Sequence, residues 1–218
     1  MGREKNIQLR NDIVKLSYQL FVNEGYDRVT TREIAEKNNI GRALLHYYYS
    51  KKDDIGLSIV MSIQDCLNEF LQERLPLRYL EAGWGSCFFT VLFDCFQKRN
   101  LIPLYLQLQT DANMVWTMLS NSFFGINNQK KPEWFNQHMT GACLIMSSMS
   151  QLIQCESHGL ISKDYREILY TSMRIYYFYM DYTKEEAERF IRNARVFVTP
   201  ELVEEFIVYY EDKLGWKV

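Results

Sequence analysis

Proline and glycine are scarce, at four and ten among 218 residues. Both interrupt regular structure and populate turns, and the apolar residues recur at three- and four-residue steps rather than in alternation. A turn-rich β-sandwich or barrel is therefore excluded, and the pattern predicts an all-α protein. Also missing is an uninterrupted apolar run of membrane-spanning length, and the N-terminal Arg3-Glu4-Lys5-Asn6 lacks the apolar region of a secretion signal. No membrane partner is expected, and a cytoplasmic location is. The five cysteines (Cys66, Cys87, Cys95, Cys143, Cys155) are odd in number, widely spaced and without Cys-x-x-Cys, which speaks against a disulfide framework or zinc cluster and for buried free thiols.

Catalytic signatures are absent too. There is no Gly-rich phosphate loop, no His-Glu-x-x-His, no Gly-x-Ser-x-Gly and no Cys and His at a recognisable spacing, so no enzyme is expected and no catalytic residue is nominated. His138 and His158 stand without a carboxylate or cysteine at ligand spacing, and neither metal nor cofactor is expected.

What the chain does have is core-forming material, with 47% hydrophobic residues, and an uneven charge. Residues 1–60 hold ten Lys/Arg against eight Asp/Glu (+2), and residues 61–218 hold fifteen against nineteen (−4). The mild positive excess coincides with the most informative stretch, Phe21 to Ile55. A first helix from about Lys5 to Glu24 carries an apolar stripe of Ile13, Val14, Ser17, Leu20 and Phe21, and Gly25 suits the residue past its end. Tyr26 can fold back on that stripe. Thr30 with Glu33 has capping-box spacing and starts a second helix at Thr31, and Ser50 with Asp53 repeats the device for a fourth. Between them, Asn39 can take the positive φ of a tight turn and Gly41 can cap a third helix. Two short helices, a tight turn and a following helix read as a helix-turn-helix, with nucleic acid as the first candidate partner.

In such a motif the second helix lies in the major groove while the first braces it, so their shared face must be apolar. Ala35, Ile34, Ile40, Leu44 and Leu45 are assigned to that face. Arg42, Ala43, His46 and Tyr47 then point outward. Arg42, in the first turn, is the leading candidate for base readout because arginine grips guanine O6 and N7 with two hydrogen bonds. Arg32 could reach a base or a phosphate. Thr31, Tyr47 and Lys52 are candidate phosphate contacts, and Gly41 completes the candidate DNA-binding set. The plainer alternative is a helix pair that never touches DNA, with its arginines solvated; Tyr49 is expected beneath the head rather than on a base, and His46 is equally explained as a surface residue.

Phe21-x-x-Glu24-Gly25-Tyr26, Thr30-Thr31, Ile34-Ala35, Leu45 and Tyr47-x-x-x-x-Lys52 resemble the TetR family of bacterial transcriptional regulators over about the first quarter of the chain. The resemblance implies a homodimer with an N-terminal DNA-binding head and a helical C-terminal domain that holds a ligand pocket and dimerises through its last long helices. It also implies DNA contacts at Thr31, Arg42, Tyr47 and Lys52. Three positions depart from the family's pattern: Asn39 replaces the usual turn glycine, Gly41 a serine-like cap, and His46 a tyrosine, which puts a base or phosphate contact there in doubt.

The division expected is a helix-turn-helix head over 1–51 and a ligand-binding and dimerisation body over 52–218. A long helix runs from the boundary to Pro76 on Ile55, Ile59, Ile63, Leu67, Phe70 and Leu71, and further helices are expected over 77–99, 103–124, 133–157, 163–182, 184–198 and 201–214. Aromatic and sulfur side chains crowd the body. Trp84, Phe88, Met114, Trp116 and Met146, with the polar Gln107 and His138, are candidate ligand-binding residues for a flat or flexible apolar effector; core packing explains the apolar ones equally. Gln109, Asn113 and Gln151 are further polar candidates. Tyr170, Met173, Arg174, Tyr177, Phe178, Met180 and Asp181, with Phe190, Ile191, Val196 and Phe197, exceed what one solvated surface would carry, and either a second copy or burial within the subunit absorbs them.

The reading is a sequence-specific regulator, a repressor released from a palindromic operator on double-stranded DNA by a small apolar or aromatic effector. The alternative is a DNA-associated interaction protein whose helical body binds a protein partner.

Overall fold

The computed structural model describes residues 6–75, 83–122 and 135–218, with the side chains of 120–122 and 135 excepted. These form eleven helices: α1 Ile7–Glu24, α2 Thr31–Lys37, α3 Arg42–Tyr48, α4 Lys52–Arg74, α5 Trp84–Lys98, α6 Ile102–Leu108, α7 Ala112–Ser122, α8 Phe135–Ser157, α9 Tyr165–Tyr179, α10 Lys184–Phe197 and α11 Pro200–Leu214. The fold is all-α, with a helix-turn-helix head followed by a larger helical body. Among the described residues no helix is long and apolar enough to cross a membrane.

Side-chain caps start many of the helices, as their sequences require. The Asn6 carboxamide accepts from Leu9 N at 3.2 Å, and Asp164, Thr183 and Thr199 accept from the third residue beyond each of them. Pro200 occupies the first position of α11, where its missing N–H costs no hydrogen bond. The expected cap of α4 is displaced by one residue: the Asp54 carboxylate, not Asp53, accepts from Lys51 N at 3.0 Å and from Ser50 Oγ at 2.5 Å. That shift frees Asp53 for the contacts described below.

The helix expected over 103–124 is divided. Gln109 to Asp111 form a turn in which Thr110 N donates to Gln107 O, and the Asp111 carboxylate accepts from Asn113 N at 2.9 Å and opens α7. An aspartate able to cap was present in the sequence, and the apolar periodicity running through it masked the break. The expected helix ends near Leu77, Phe124 and Glu133, the interruption at Pro76, and the turn at Gly125 with Asn127 and Asn128 lie outside the described residues.

Two helices organise the interior. α4 packs against α1, α5, α6, α7 and α11, and its six expected core residues are fully buried. Gly56 lies where α6 crosses it, so close that an added Cβ would fall 2.3 Å from Leu104 Cδ1. α5 is apolar on every face, as befits a helix enclosed by neighbours: Cys87, Phe88, Val91, Leu92, Cys95 and Phe96 are buried between α4, α6, α9, α10 and α11.

α8 and α9 form an antiparallel pair against one side of the body. Much of the apolar excess assigned to a second copy is consumed inside the subunit, since Tyr170, Met173, Tyr177, Phe190 and Ile191 are all buried against α5 and its neighbours. Phe178 and Val196 from that set do reach the surface, at 54% and 70% exposure, and Leu144, Ile175 and Tyr179 lie exposed on α8 and α9.

Candidate nucleic-acid interface

α1 carries the head. Ile13, Val14, Ser17, Leu20 and Phe21 are buried as expected, and Tyr26 folds back to meet Phe21 edge-to-face with ring centroids 5.0 Å apart. Gly25, at φ +90°, makes that reversal possible while its N–H closes α1 on Phe21 O. α2 begins with the Thr30 hydroxyl accepting from Glu33 N at 3.2 Å and buries Ile34 and Ala35.

The turn between α2 and α3 has the geometry its residues dictate. Asn39 sits at φ +54°, Ile40 N donates to Ala35 O at 3.0 Å, and the Asn38 side chain donates to Ile34 O at 2.8 Å. Gly41 then opens α3 with no side-chain cap, its carbonyl accepting from Leu44 N and Leu45 N. Leu45 is fully buried against the brace and Tyr49 lies beneath the head, its hydroxyl accepting from Arg10 Nε at 3.3 Å. One assignment needs correction: Leu44 is 41% exposed and stands beside Arg42 and Ala43 on the outer face. Residues three apart share a helix face, so Leu45 and the half-buried Tyr48 turn inward and Leu44 does not.

The candidate DNA-binding residues separate by what already holds them. Gly41, Arg42, Ala43, His46 and Tyr47 are exposed along one side of α3. No hydrogen bond or ion pair ties Arg42 to any described residue. His46 Nδ1 lies 3.2 Å from Ser50 O, and the Tyr47 ring meets Tyr48 edge-to-face. Thr31 is half-buried at the start of α2. Arg32 pairs with Glu36 one turn along at 2.7 Å, a contact exposed on both sides and therefore easily exchanged for a phosphate.

Residues 13–59, covering α1 to the first turns of α4, match the bacterial regulatory proteins of the tetR family. The head is therefore similar to that of the tetR family. A curated relative, the negative transcriptional regulator IcaR of the biofilm operon icaADBC from Staphylococcus epidermidis, is 30% identical over 105 residues, which is 47% of this chain. The chain spans about half of that relative's length (54%). The solved structure of Salmonella enterica GusR aligns over 97% of both chains with a TM-score of 0.40 and 15% identity, a likeness that bears on neither function nor ligand.

In this head Lys52 faces inward. Its ammonium donates to Tyr26 O at 2.8 Å and Val29 O at 3.0 Å and lies 4.0 Å from the Tyr26 ring centroid. Desolvation lowers its pKa from the usual lysine value. Two of its three N–H groups thus fasten the loop before α2 to the start of α4. Beside it, Tyr26 Oη donates to Asp53, and Gln107 Nε2 of α6 donates to the other Asp53 oxygen at 3.3 Å. Burial first, then the Asp53 carboxylate, raise the Tyr26 pKa above its ordinary value. Lys51 adds an ion pair to Asp111 at 3.0 Å. The first turn of α4 is thereby held from the head on one side and from α6 and α7 on the other.

A second junction joins α1 to α11. The Tyr18 ring stacks on Trp216 with centroids 5.0 Å apart, and its hydroxyl lies 2.7 Å from both Tyr210 Oη and Glu211 Oε1. Glu211, 7% exposed, forms an ion pair with Arg99, the residue just past α5, at 2.8 Å. Gln19 Nε2 donates to Lys217 O at 2.6 Å. Neither Tyr18 nor Glu211 was nominated from the sequence. A tyrosine inside an otherwise aliphatic stripe was the available signal.

The nominated ligand-binding residues are dispersed. Phe88, Met114 and Met146 are buried in the core, Trp84 and His138 are half-buried, Trp116 is 40% exposed and Gln107 is drawn to Asp53. A cleft of about 480 Å³ between α1, α4 and α11, and two smaller ones beside α5 and α10, are lined by none of the seven. Three buried polar atoms in α4 and α6 and just beyond it, Gln64 Oε1, Tyr105 Oη and Gln109 Nε2, have no hydrogen-bond partner among the described residues. Gln109 was among the sequence candidates. Among those residues no cluster of three or more His, Cys, Asp or Glu could hold a metal ion.

Proposed function

We propose that this chain is a dimeric, sequence-specific DNA-binding repressor, with α3 as the reading helix, that leaves a palindromic operator when a small apolar or aromatic molecule binds its body. The observation that carries the reading is the division of labour on α3. Leu45 is buried and fixes the helix, while Arg42 projects from its first turn with no partner among the described residues. Arg42 reads guanine, Leu44 and Ala43 offer apolar contact to a thymine methyl, and Thr31, Tyr47 and Arg32 take phosphates. Lys52 contributes chiefly by holding Tyr26 and Val29 and has one N–H left for a phosphate. Repression follows the direction printed in the name of the relative IcaR.

Two further features support the remaining parts of the proposal. Leu144, Ile175, Phe178 and Tyr179 supply an apolar face on α8 and α9 for the second copy, whose two-fold axis a palindromic site would mirror. Buried polar atoms normally have partners, so the unpaired Gln64, Tyr105 and Gln109 atoms are groups an effector would satisfy. Effector binding then shifts the balance between head poses by the ratio of its affinities for them, through α6 and the Asp53 contact.

Footprinting on the DNA flanking the chain's own gene, with random duplex as competitor, tests the reading. The wild type should protect a symmetric site. Arg42→Ala should weaken that site by about 1–3 kcal/mol and relax its sequence preference. An equal loss on specific and random DNA would remove Arg42 from base readout, and protection of an asymmetric site would remove the dimer.

A further inference from the structure

The head is attached to the body twice, and the two attachments differ in kind. At α4 the chain is continuous, and the contacts around Asp53 and Lys52 are partly exposed. At α1 the attachment is buried, non-local and directional. Tyr18 and Tyr210 are fully buried and Glu211 nearly so. The directions of the hydrogen bonds are fixed by the one acceptor that cannot donate: Tyr18 Oη gives its proton to the Glu211 carboxylate, so Tyr210 Oη must give its own to Tyr18, and the Cys95 thiol, 3.8 Å away, donates to Tyr210. Arg99, just past α5, balances the carboxylate. The series therefore runs from α5 through α11 to the head and back to the end of α5.

Apolar packing alone tolerates small slides and rotations, because its energy varies slowly with register. A buried hydrogen-bonded series ending on a charge does not, since a displacement of about 1 Å leaves a desolvated hydroxyl or carboxylate unpaired. The left-handed Gly215, at φ +67°, turns the chain so that Trp216 lies across the Tyr18 ring and closes the series from the solvent side. α1 in turn bears directly on the reading unit: Phe21 meets Tyr26, Arg10 meets Tyr49, and Asn6 N donates to Tyr48 Oη at 3.0 Å.

We propose that the end of α11 is the seat that sets the pose of the DNA-binding head, with Tyr18, Glu211 and Trp216 as positioning residues for operator half-site spacing. The proposal rests on the DNA-reading function above. In a two-headed dimer the rotation of each α1 decides how far apart the two reading helices stand, and half-sites must match that separation. A firm seat confines the dimer to one spacing, and a loosened seat spreads it over several.

The test uses the full chain and two variants. Tyr18→Phe keeps the ring and its stack on Trp216 but removes the hydroxyl, and Trp216→Ala removes the stack. Each is measured on the symmetric site protected by the wild type, on the same half-sites moved one base pair closer or farther, and on random duplex. Hydrogen exchange is followed in α1 to α3 without DNA. The expected result for Tyr18→Phe is at least tenfold weaker binding to the native spacing, random-duplex binding within twofold of wild type, a narrowed preference between spacings, and faster exchange across α1 to α3 than across α8 and α9. Trp216→Ala should follow the same pattern and Trp216→Phe should restore most of it. A merely destabilised protein would lose specific and random binding alike, and that outcome, or an unchanged spacing preference, overturns the proposal. Should the wild type protect no symmetric site, the DNA-reading function falls separately, and unchanged exchange of α1 to α3 in Tyr18→Phe would overturn the seat on its own.

Discussion

Replacing Gly141 with alanine should loosen the pairing of α8 with α9. Gly141 is buried on α8, and a Cβ built there would lie 2.7 and 2.8 Å from two carbons of the Tyr176 ring and 3.3 Å from Tyr179 Cδ1. Carbon atoms rest at about 3.5–4.0 Å, so the ring would have to retreat by roughly 0.7–1 Å. Tyr176 has little freedom to do so, because it packs edge-to-face on Tyr177, itself buried against Phe190 and hydrogen-bonded to Ser86. Forcing one methyl into such a contact costs about 1–3 kcal/mol. Alanine recovers nearly 1 kcal/mol of helix propensity over glycine, leaving a net loss of up to roughly 2 kcal/mol. For a chain of this length that corresponds to a fall in Tm of up to about 8 °C. Urea unfolding followed by circular dichroism measures it, and sedimentation of the same samples reads the proposed dimer, since Leu144, Ile175, Phe178 and Tyr179 ride on the displaced helices. A rise in the unfolding midpoint matching the full propensity gain would refute the reasoning, because that gain would then have met no steric opposition.

Thiol reactivity should follow burial. Cys87 and Cys95 are pushed up to about 12 by desolvation, so at pH 8 a maleimide should label the half-buried Cys155 first and these two last; peptide mapping that finds Cys87 modified as fast as Cys155 would contradict the packing of α5. The Lys51 and Asp111 pair should act on stability with a defined sign. The hydrogen bond from Lys51 holds the Asp111 carboxyl below the usual carboxylate range, so its contribution is present above about pH 4, the unfolded value, and vanishes as pH falls through the lower folded value. Lys51→Met should therefore differ in unfolding free energy from wild type at pH 6 and converge with it near pH 3. A difference that does not change with pH would show that the pair contributes through packing alone.

The head was legible because its devices are local. Thr30 caps α2, Asn39 supplies a positive φ, and the stripe of α1 is buried at every expected position, each following from residues within a few places of one another. The structure adds to or departs from the sequence reading where a distant neighbour decides the outcome. Leu44 and Leu45 are chemically alike, and only the position of α2 makes one of them core. Lys52 reads as a surface cation until Tyr26 and Val29 present two carbonyls to it. The break at Asp111 lies within an apolar pattern that continues on both sides, and it is stabilised in part by Lys51, sixty residues earlier. For the body, the same aromatic and methionine side chains serve core or cavity equally well in one dimension. Phe88, Met114 and Met146 became core once α5, α7 and α8 each packed against their neighbours.

The exposed side of α3 has a consequence for how such a protein changes over time. Arg42, Ala43 and Leu44 stay exposed, while the adjacent Leu45 is buried and anchors the helix. Substitutions at the three outer positions are nearly free of folding cost. If α3 reads DNA as proposed, a duplicated copy could drift towards a new recognition sequence one residue at a time without ever passing through an unfolded intermediate, and a laboratory library randomised at those three positions should retain the fold in most of its members.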